Sequence, residues 1–261
     1  MILRRITEHV KAQNWFAVAI DFVIVVAGVF VGIQVSNWNA GQFDQARAES
    51  YSARLTADLR YEAWHNEYLI AYYKEVLENA ERATAALTGA PALADEQFLT
   101  SAYRASQYLY YGTRRATYDE LVATGDISLI ADARLRETAV TYYNDPTIAF
   151  ATAESRSSEF RRAFRRAVPA AVQHALLERC GDKFVEPGDF AGIVGTLDYP
   201  CTLDLPAEDI ASAAAAIRMD ADLLKSLQLR FADLETNIVN LESANPQMLA
   251  DLRAIAKEGR P

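Results

Sequence analysis

The chain has 261 residues, 51% of them hydrophobic, and its 26 lysines and arginines stand against 35 aspartates and glutamates for a net charge of −9. That is enough apolar side chain for a core, over a length that suits one or two domains. The first 13 residues carry +2 and Asp21 carries −1, leaving −10 on the rest, and so acidic a domain is a poor match for phosphate backbones, which excludes nucleic acid as a partner.

Residues 2–11 (ILRRITEHVK) put Ile2, Leu3, Ile6 and Val10 at helical spacing, with Arg4, Arg5 and Lys11 elsewhere around the turn. This is the pattern of a short amphipathic segment lying on the inner leaflet. Next, the 21 residues from Trp15 to Val35 contain only Asp21 and Gln34 as strongly polar side chains. At about 1.5 Å per residue such a helix spans about 30 Å, the thickness of a bilayer core, so a transmembrane helix is predicted over 14–38. A cleaved signal peptide would have a shorter apolar region ending in small residues, whereas this run exits through QVSNWN with Trp38 in that place. Trp15 and Trp38 are the predicted interface anchors against membrane lipid.

Three basic residues and Glu8 precede the span, while only Arg47 accompanies Asp44 and Glu49 in the dozen residues after Trp38. The positive-inside rule then makes 1–13 cytoplasmic and 39–261 periplasmic, with the span in a bacterial inner membrane. Asp21 lies about 9 Å beyond Trp15 along the helix, and a charged aspartate deep in a span costs about 2.5–3.5 kcal/mol. Stepping at 100° per residue, Ala17, Asp21, Val25, Gly28, Gly32 and Ser36 share one face, and Gly28 to Gly32 is a GxxxG, which lets helix backbones approach closely. The expected partner of that face is a membrane helix of a second copy or of another inner-membrane protein. Asp21 is read as a hydrogen-bonding assembly group, the alternative being a titrating one.

After the span no proline occurs until Pro91, and residues 42–88 are rich in Ala, Glu, Arg and Leu, which predicts one long helix continuing the span as a stalk and closed by Thr88-Gly89. Tyr51, Leu55, Leu59, Leu69, Tyr73, Val76, Ala80, Ala83 and Leu87 form a coiled-coil-like seam that Glu62 and Asn66 interrupt. Leu224, Leu227, Phe231, Leu234, Ile238 and Leu241 form a second seam, an antiparallel partner for the first. That pairing returns Met248, Leu249, Leu252 and Ile255 toward the membrane end. Between them, Thr117 to Glu120 fits a capping box and Gly125 a helix end, while Asp132 is placed to cap a helix over 133–143. A further helix is predicted over about 147–179, kinked at Pro169. With no alternating strand pattern longer than four residues, the fold class is all-α: one transmembrane helix, a stalk, and a periplasmic helical bundle.

The exit GIQVSNWN and the later RRATYDELVATGDISLIADARLRETAVTYYN together resemble a bacterial family of single-pass membrane proteins with no assigned activity. The positions that carry the likeness are Asn37, Trp38 and Asn39, then Tyr118, Glu120, Leu121, Gly125, Leu135, Arg136, Tyr142 and Tyr143. It covers about the first 145 residues, departs in having Asp21 where an early glutamate is usual, and implies topology without mechanism. Residues 1–32 also resemble the layout of stator subunits driven by the proton motive force, which would imply that Asp21 titrates; no peptidoglycan-binding or small α/β domain follows.

Cys180 and Cys201 flank a Gly- and Pro-rich segment and are expected to form a disulfide, as suits an oxidising compartment. No paired-cysteine zinc or redox motif exists. Arg161, Arg162, Arg165 and Arg166 form a basic stripe able to hold an anion or lipid headgroup, with pairing to local carboxylates as the plainer expectation. Tyr72, Tyr73, Tyr108, Tyr110 and Tyr111 could line a pocket, with core packing and hydroxyls at the surface as the plainer expectation. His65-Asn66-Glu67 lacks the cysteines a zinc deaminase needs, and no nucleophile elbow, Walker loop or dinucleotide fingerprint occurs. The expectation is therefore a non-enzymatic protein without cofactor or metal that works by association, with a ligand sensor as the alternative class.

Overall fold

The computed structural model describes residues 15–89, 93–110 and 112–257, and every regular element among them is helical. The amphipathic segment 2–11, Pro91 and Tyr111 lie outside the described residues. The first helix, α1, runs without a break from Trp15–Thr88. Its 74 residues extend over about 110 Å, so the predicted span and stalk are one rod. It stops at Gly89, whose φ of +98° is open to a residue lacking Cβ.

The other helices are α2 (Asp95–Ala105), α3 (Ala116–Thr124), α4 (Ala133–Asn144), α5 (Thr147–Ser157), α6 (Glu159–Ala167), α7 (Ala170–Cys180), α8 (Ala207–Arg218), α9 (Ala221–Ser243) and α10 (Pro246–Lys257), with a 3-10 turn over Asp126–Leu129. They gather around the second half of α1 in two apolar clusters. One joins Leu69, Tyr72, Tyr73, Val76 and Ala80 to α2 and α5–α9. The other joins Leu55, Leu59 and Ala63 to α3, α4 and α10, nearer the span.

The seam at the carboxyl end does run antiparallel to α1. Lys74 pairs with Glu242 at 2.6 Å, Glu67 with Arg253 at 2.6 Å, and Arg60 donates to the Ile255 carbonyl at 3.3 Å, so residue numbers fall on α1 as they rise on α9 and α10. Its buried face is rotated from the predicted one, because Leu223 and Arg230 are buried where Leu224 and Phe231 are only half-buried. The cause is polar. Arg230 donates to the carbonyls of Ala105 (3.3 Å) and Gln107 (3.0 Å) and to Ser155 Oγ (3.0 Å), which satisfies carbonyls left open at the end of α2.

Two local expectations are corrected. The capping box at Thr117 does not form: α3 starts at Ala116 behind Arg115 with no side-chain cap. Glu120 reaches across to α1 instead, accepting from Tyr51 at 2.9 Å and Arg54 at 2.7 Å. The helix predicted over 147–179 is three helices. Ser158 is non-helical and caps α6 by accepting from the Arg161 N–H at 3.3 Å. Val168, preceding Pro169, is extended at φ −90°, ψ 130°, so the proline ends α6 outright. Asp132 caps α4 as predicted, accepting from the Leu135 N–H at 3.1 Å, and Gly125 closes α3 with φ +76°.

Candidate functional site

The 18-residue window that makes α1 apolar enough to cross a membrane has no buried residue. Residues 19–46 are exposed on every face. Trp15 and Trp38, 69% and 68% exposed, stand about 35 Å apart along the rod, a bilayer core's thickness plus a little. Asp21, Val25, Gly28, Gly32 and Ser36 line one side together with the half-buried Ala17. No atom comes within 4 Å of where a Cβ would stand at Gly28 or Gly32, so from Asp21 to Ser36 the stripe is a flat, exposed track.

The track gives way to the domain at Arg47, which pairs with Asp126 on the 3-10 turn, about 14 Å past Trp38 along α1. Tyr51 and Arg54 then hold Glu120. Deeper, Glu62, predicted as a break in the seam, is wholly buried and accepts from the Tyr142 hydroxyl (2.6 Å) and the Arg114 N–H (2.5 Å). Residues 62–66 are buried all round, so the middle of α1 is enclosed. Burial pulls the His65 imidazole down to about 4, and among the described residues no group of three or more His, Cys, Asp or Glu side chains is placed to hold a metal ion.

Residues between Arg114 and Tyr143 knit this base together. Tyr118 stacks on Tyr143 at 4.9 Å, Tyr143 donates to the Arg114 carbonyl at 2.8 Å, and Arg136 donates to the Ile130 carbonyl at 2.6 Å. Leu121 and Leu135 are buried beside Leu55 and Leu59. Their chemistry is that of a clamp on the rod.

Farther out, Cys180 and Cys201 are bonded, with Cα atoms 5.5 Å apart. Arg104, almost wholly buried, ties that bridge to the core by donating to the carbonyls of Cys180 (3.4 Å) and Tyr199 (2.7 Å) and pairing with Asp198 at 3.3 Å. Burial holds its guanidinium below the ordinary arginine pKa. Sequence reasoning missed Glu75, which accepts from the N–H groups of Gly195 (2.5 Å), Leu197 (2.8 Å) and Asp198 (2.8 Å) and so anchors the disulfide loop to α1. Its only signal was a carboxylate beside the seam residue Val76.

The arginine stripe is divided by the fold. Arg161 and Arg165 share a cleft with α2 and α7, Arg166 faces a groove containing Asp220 and Asp222, and Arg162 is exposed. None of the four forms an ion pair among the described residues, against the expected pairing with local carboxylates; Arg161 spends a donor on the Ser106 carbonyl at 2.8 Å instead. The tyrosines also differ from expectation. Tyr72 and Tyr73 are fully buried with their hydroxyls inside, donating to Asp182 at 2.7 Å and the Ala151 carbonyl at 3.4 Å, while Tyr110 is 74% exposed.

No protein-family model matches the chain, and neither a curated protein nor a solved structure is significantly similar to it.

Proposed function

We propose that this is a non-enzymatic single-pass protein of a bacterial inner membrane that works by association, as an oligomer or as an accessory subunit of a larger membrane complex. In this reading residues 1–13 are cytoplasmic, 14–38 span the bilayer, and 39–261 form a periplasmic helical domain held at a fixed height by the stalk. The observation that carries the reading is the exposed face Asp21, Val25, Gly28, Gly32, Ser36, which continues the line of Ala17. A carboxylate on a glycine track is stable in hydrocarbon when a second helix packs there and satisfies it.

The test is self-association and co-purification of the full chain in lipid vesicles or mild detergent. Replacing both Gly28 and Gly32 by isoleucine is expected to abolish the association, and Asp21→Asn to preserve most of it, since an amide still hydrogen-bonds across the interface. Release of the wild-type chain by alkaline washing would sink the reading, as would a protein that stays monomeric without partners at all lipid dilutions. If Asp21→Asn assembled normally yet lost its cellular function, the titrating role would replace the assembly role.

A further inference from the structure

The cleft between α6, α7 and the end of α2 has a volume of about 190 Å3. Tyr103, Phe164 and Leu177 supply its apolar wall, and Arg161, Arg165 and His174 its basic one. We propose that it binds a small soluble carboxylate with an apolar body, such as an aromatic monocarboxylate, whose anionic end lies between Arg161 and Arg165.

Charge is the first argument. No carboxylate lines the cleft, in a domain whose net charge is −10, and neither arginine has an ion-pair partner among the described residues. His174 sits at the rim, its Nε2 3.7 Å from Glu178 in an exposed pair. Burial and the neighbouring Arg165 charge hold the Arg161 guanidinium below its ordinary pKa, a cost that a bound anion would relieve.

Preorganisation is the second. Arg161 is fixed by its bond to the Ser106 carbonyl and by lying over the Tyr108 ring at 4.9 Å, which leaves the rest of its planar fork free for a carboxylate. The corner between α6 and α7 is also held, because Gln173 donates to the carbonyls of Arg165 (2.8 Å) and Val168 (2.7 Å).

The ligand's body would meet an apolar wall. Leu177 is 64% exposed beside these charges, and Tyr103 and Phe164 pack ring to ring at 6.3 Å. Tyr103 is 7% exposed. The volume is below the roughly 300 Å3 at which drug-sized pockets begin, which limits the occupant to a small molecule. A lipid headgroup is out of reach: α1 passes this level near Tyr72, which bonds Asp182 at the foot of α7, about 50 Å beyond Trp38 along the helix. That exclusion alone rests on the membrane topology proposed above.

Calorimetric titration of the full chain in lipid nanodiscs tests the proposal with three probes: benzoate, benzamide as the same body without charge, and inorganic phosphate as charge without a body. Benzoate is expected to bind, with benzamide and phosphate weaker by about tenfold or more, a difference of about 1.4 kcal/mol. Arg165→Gln, whose side chain makes no hydrogen bond or ion pair among the described residues, is expected to weaken benzoate by a similar factor without moving the melting temperature. Leu177→Asn should weaken it as well. An absence of benzoate binding, equal binding of phosphate, or an unchanged affinity in Arg165→Gln would each overturn the proposal, and none of these results bears on whether the membrane helices associate.

Discussion

Residues 19–46 and residues 55–83 belong to one uninterrupted helix, yet the first stretch is exposed on all sides while the second is enclosed by five or more other helices. The backbone satisfies itself identically in both. What separates them is the side chains. The outer stretch is apolar throughout residues 22–33, leaves every Cβ position at its glycines open, and carries Asp21 as its one charge before Asp44. The enclosed stretch mixes leucines and tyrosines with Glu62, His65, Asn66, Glu75 and Asn79, nearly all buried. The outer stretch asks little of a partner beyond a flat face against the glycines and a donor for Asp21, which a second membrane helix can bring. A helix with buried carboxylates needs specific donors, which only its own chain brings to the right places.

Glu75 is where that contrast breaks most sharply. Glu75→Ala would strand three N–H groups of the disulfide loop, that of Leu197 buried and those of Gly195 and Asp198 half-buried, and at roughly 1–3 kcal/mol for an unsatisfied buried donor the loss is expected to be about 3 kcal/mol. Chemical denaturation of the full chain in detergent measures it, and a loss under about 1 kcal/mol would show that the cage is dispensable.

His65 gives the next largest effect, and it depends on pH. Burial holds its folded-state value at about 4, while the unfolded chain protonates near 6.5. Between those values the unfolded state binds more protons, so stability that is complete above about 6.5 falls as the pH drops toward 4, by on the order of 3 kcal/mol. His65→Leu is expected to remove that part of the slope. A wild-type and variant that lose stability in parallel over this range would mean that His65 is not the group responsible.

Arg230 and Phe231 sharpen the comparison from the other side of the interface. Arg230→Met leaves two backbone carbonyls and Ser155 without their donor, at an expected cost of about 2–3 kcal/mol. The half-exposed Phe231 should cost less when changed to alanine, about 1 kcal/mol, well under the 3–5 kcal/mol of a fully buried phenylalanine. Thermal unfolding of the two variants side by side reads which face of α9 is inside, and the reverse order would restore the face that hydropathy alone suggests.

Much of the architecture was legible before any coordinates: the all-α class, the apolar run, its continuation to Thr88-Gly89, the Asp132 cap, and the antiparallel return of the carboxyl end. Each rests on local rules, namely periodicity, capping residues and prolines, which act over one or two turns of chain. The failures share one cause. Thr117 lost its capping box because Glu120 was drawn to Tyr51 and Arg54, which lie 69 and 66 residues away in sequence. Arg230 displaced Phe231 from the interior because carbonyls at the end of α2 needed a donor. The four arginines, all on α6, divided between two surfaces because α2 and α7 pack beside Arg161 and Arg165 while the start of α9 lies beside Arg166.

For the candidate sites the division runs the same way. The uncovered face of α1 follows from residue spacing alone, because an isolated helix fixes the direction of its own side chains. The cleft at Arg161 and Arg165 does not, because Tyr103 and Leu177 join it from separate helices and only tertiary packing sets them beside the two guanidinium groups. Hydropathy along a chain tells a helix which side to hide; it carries no information about which distant carbonyl or carboxylate will be waiting there.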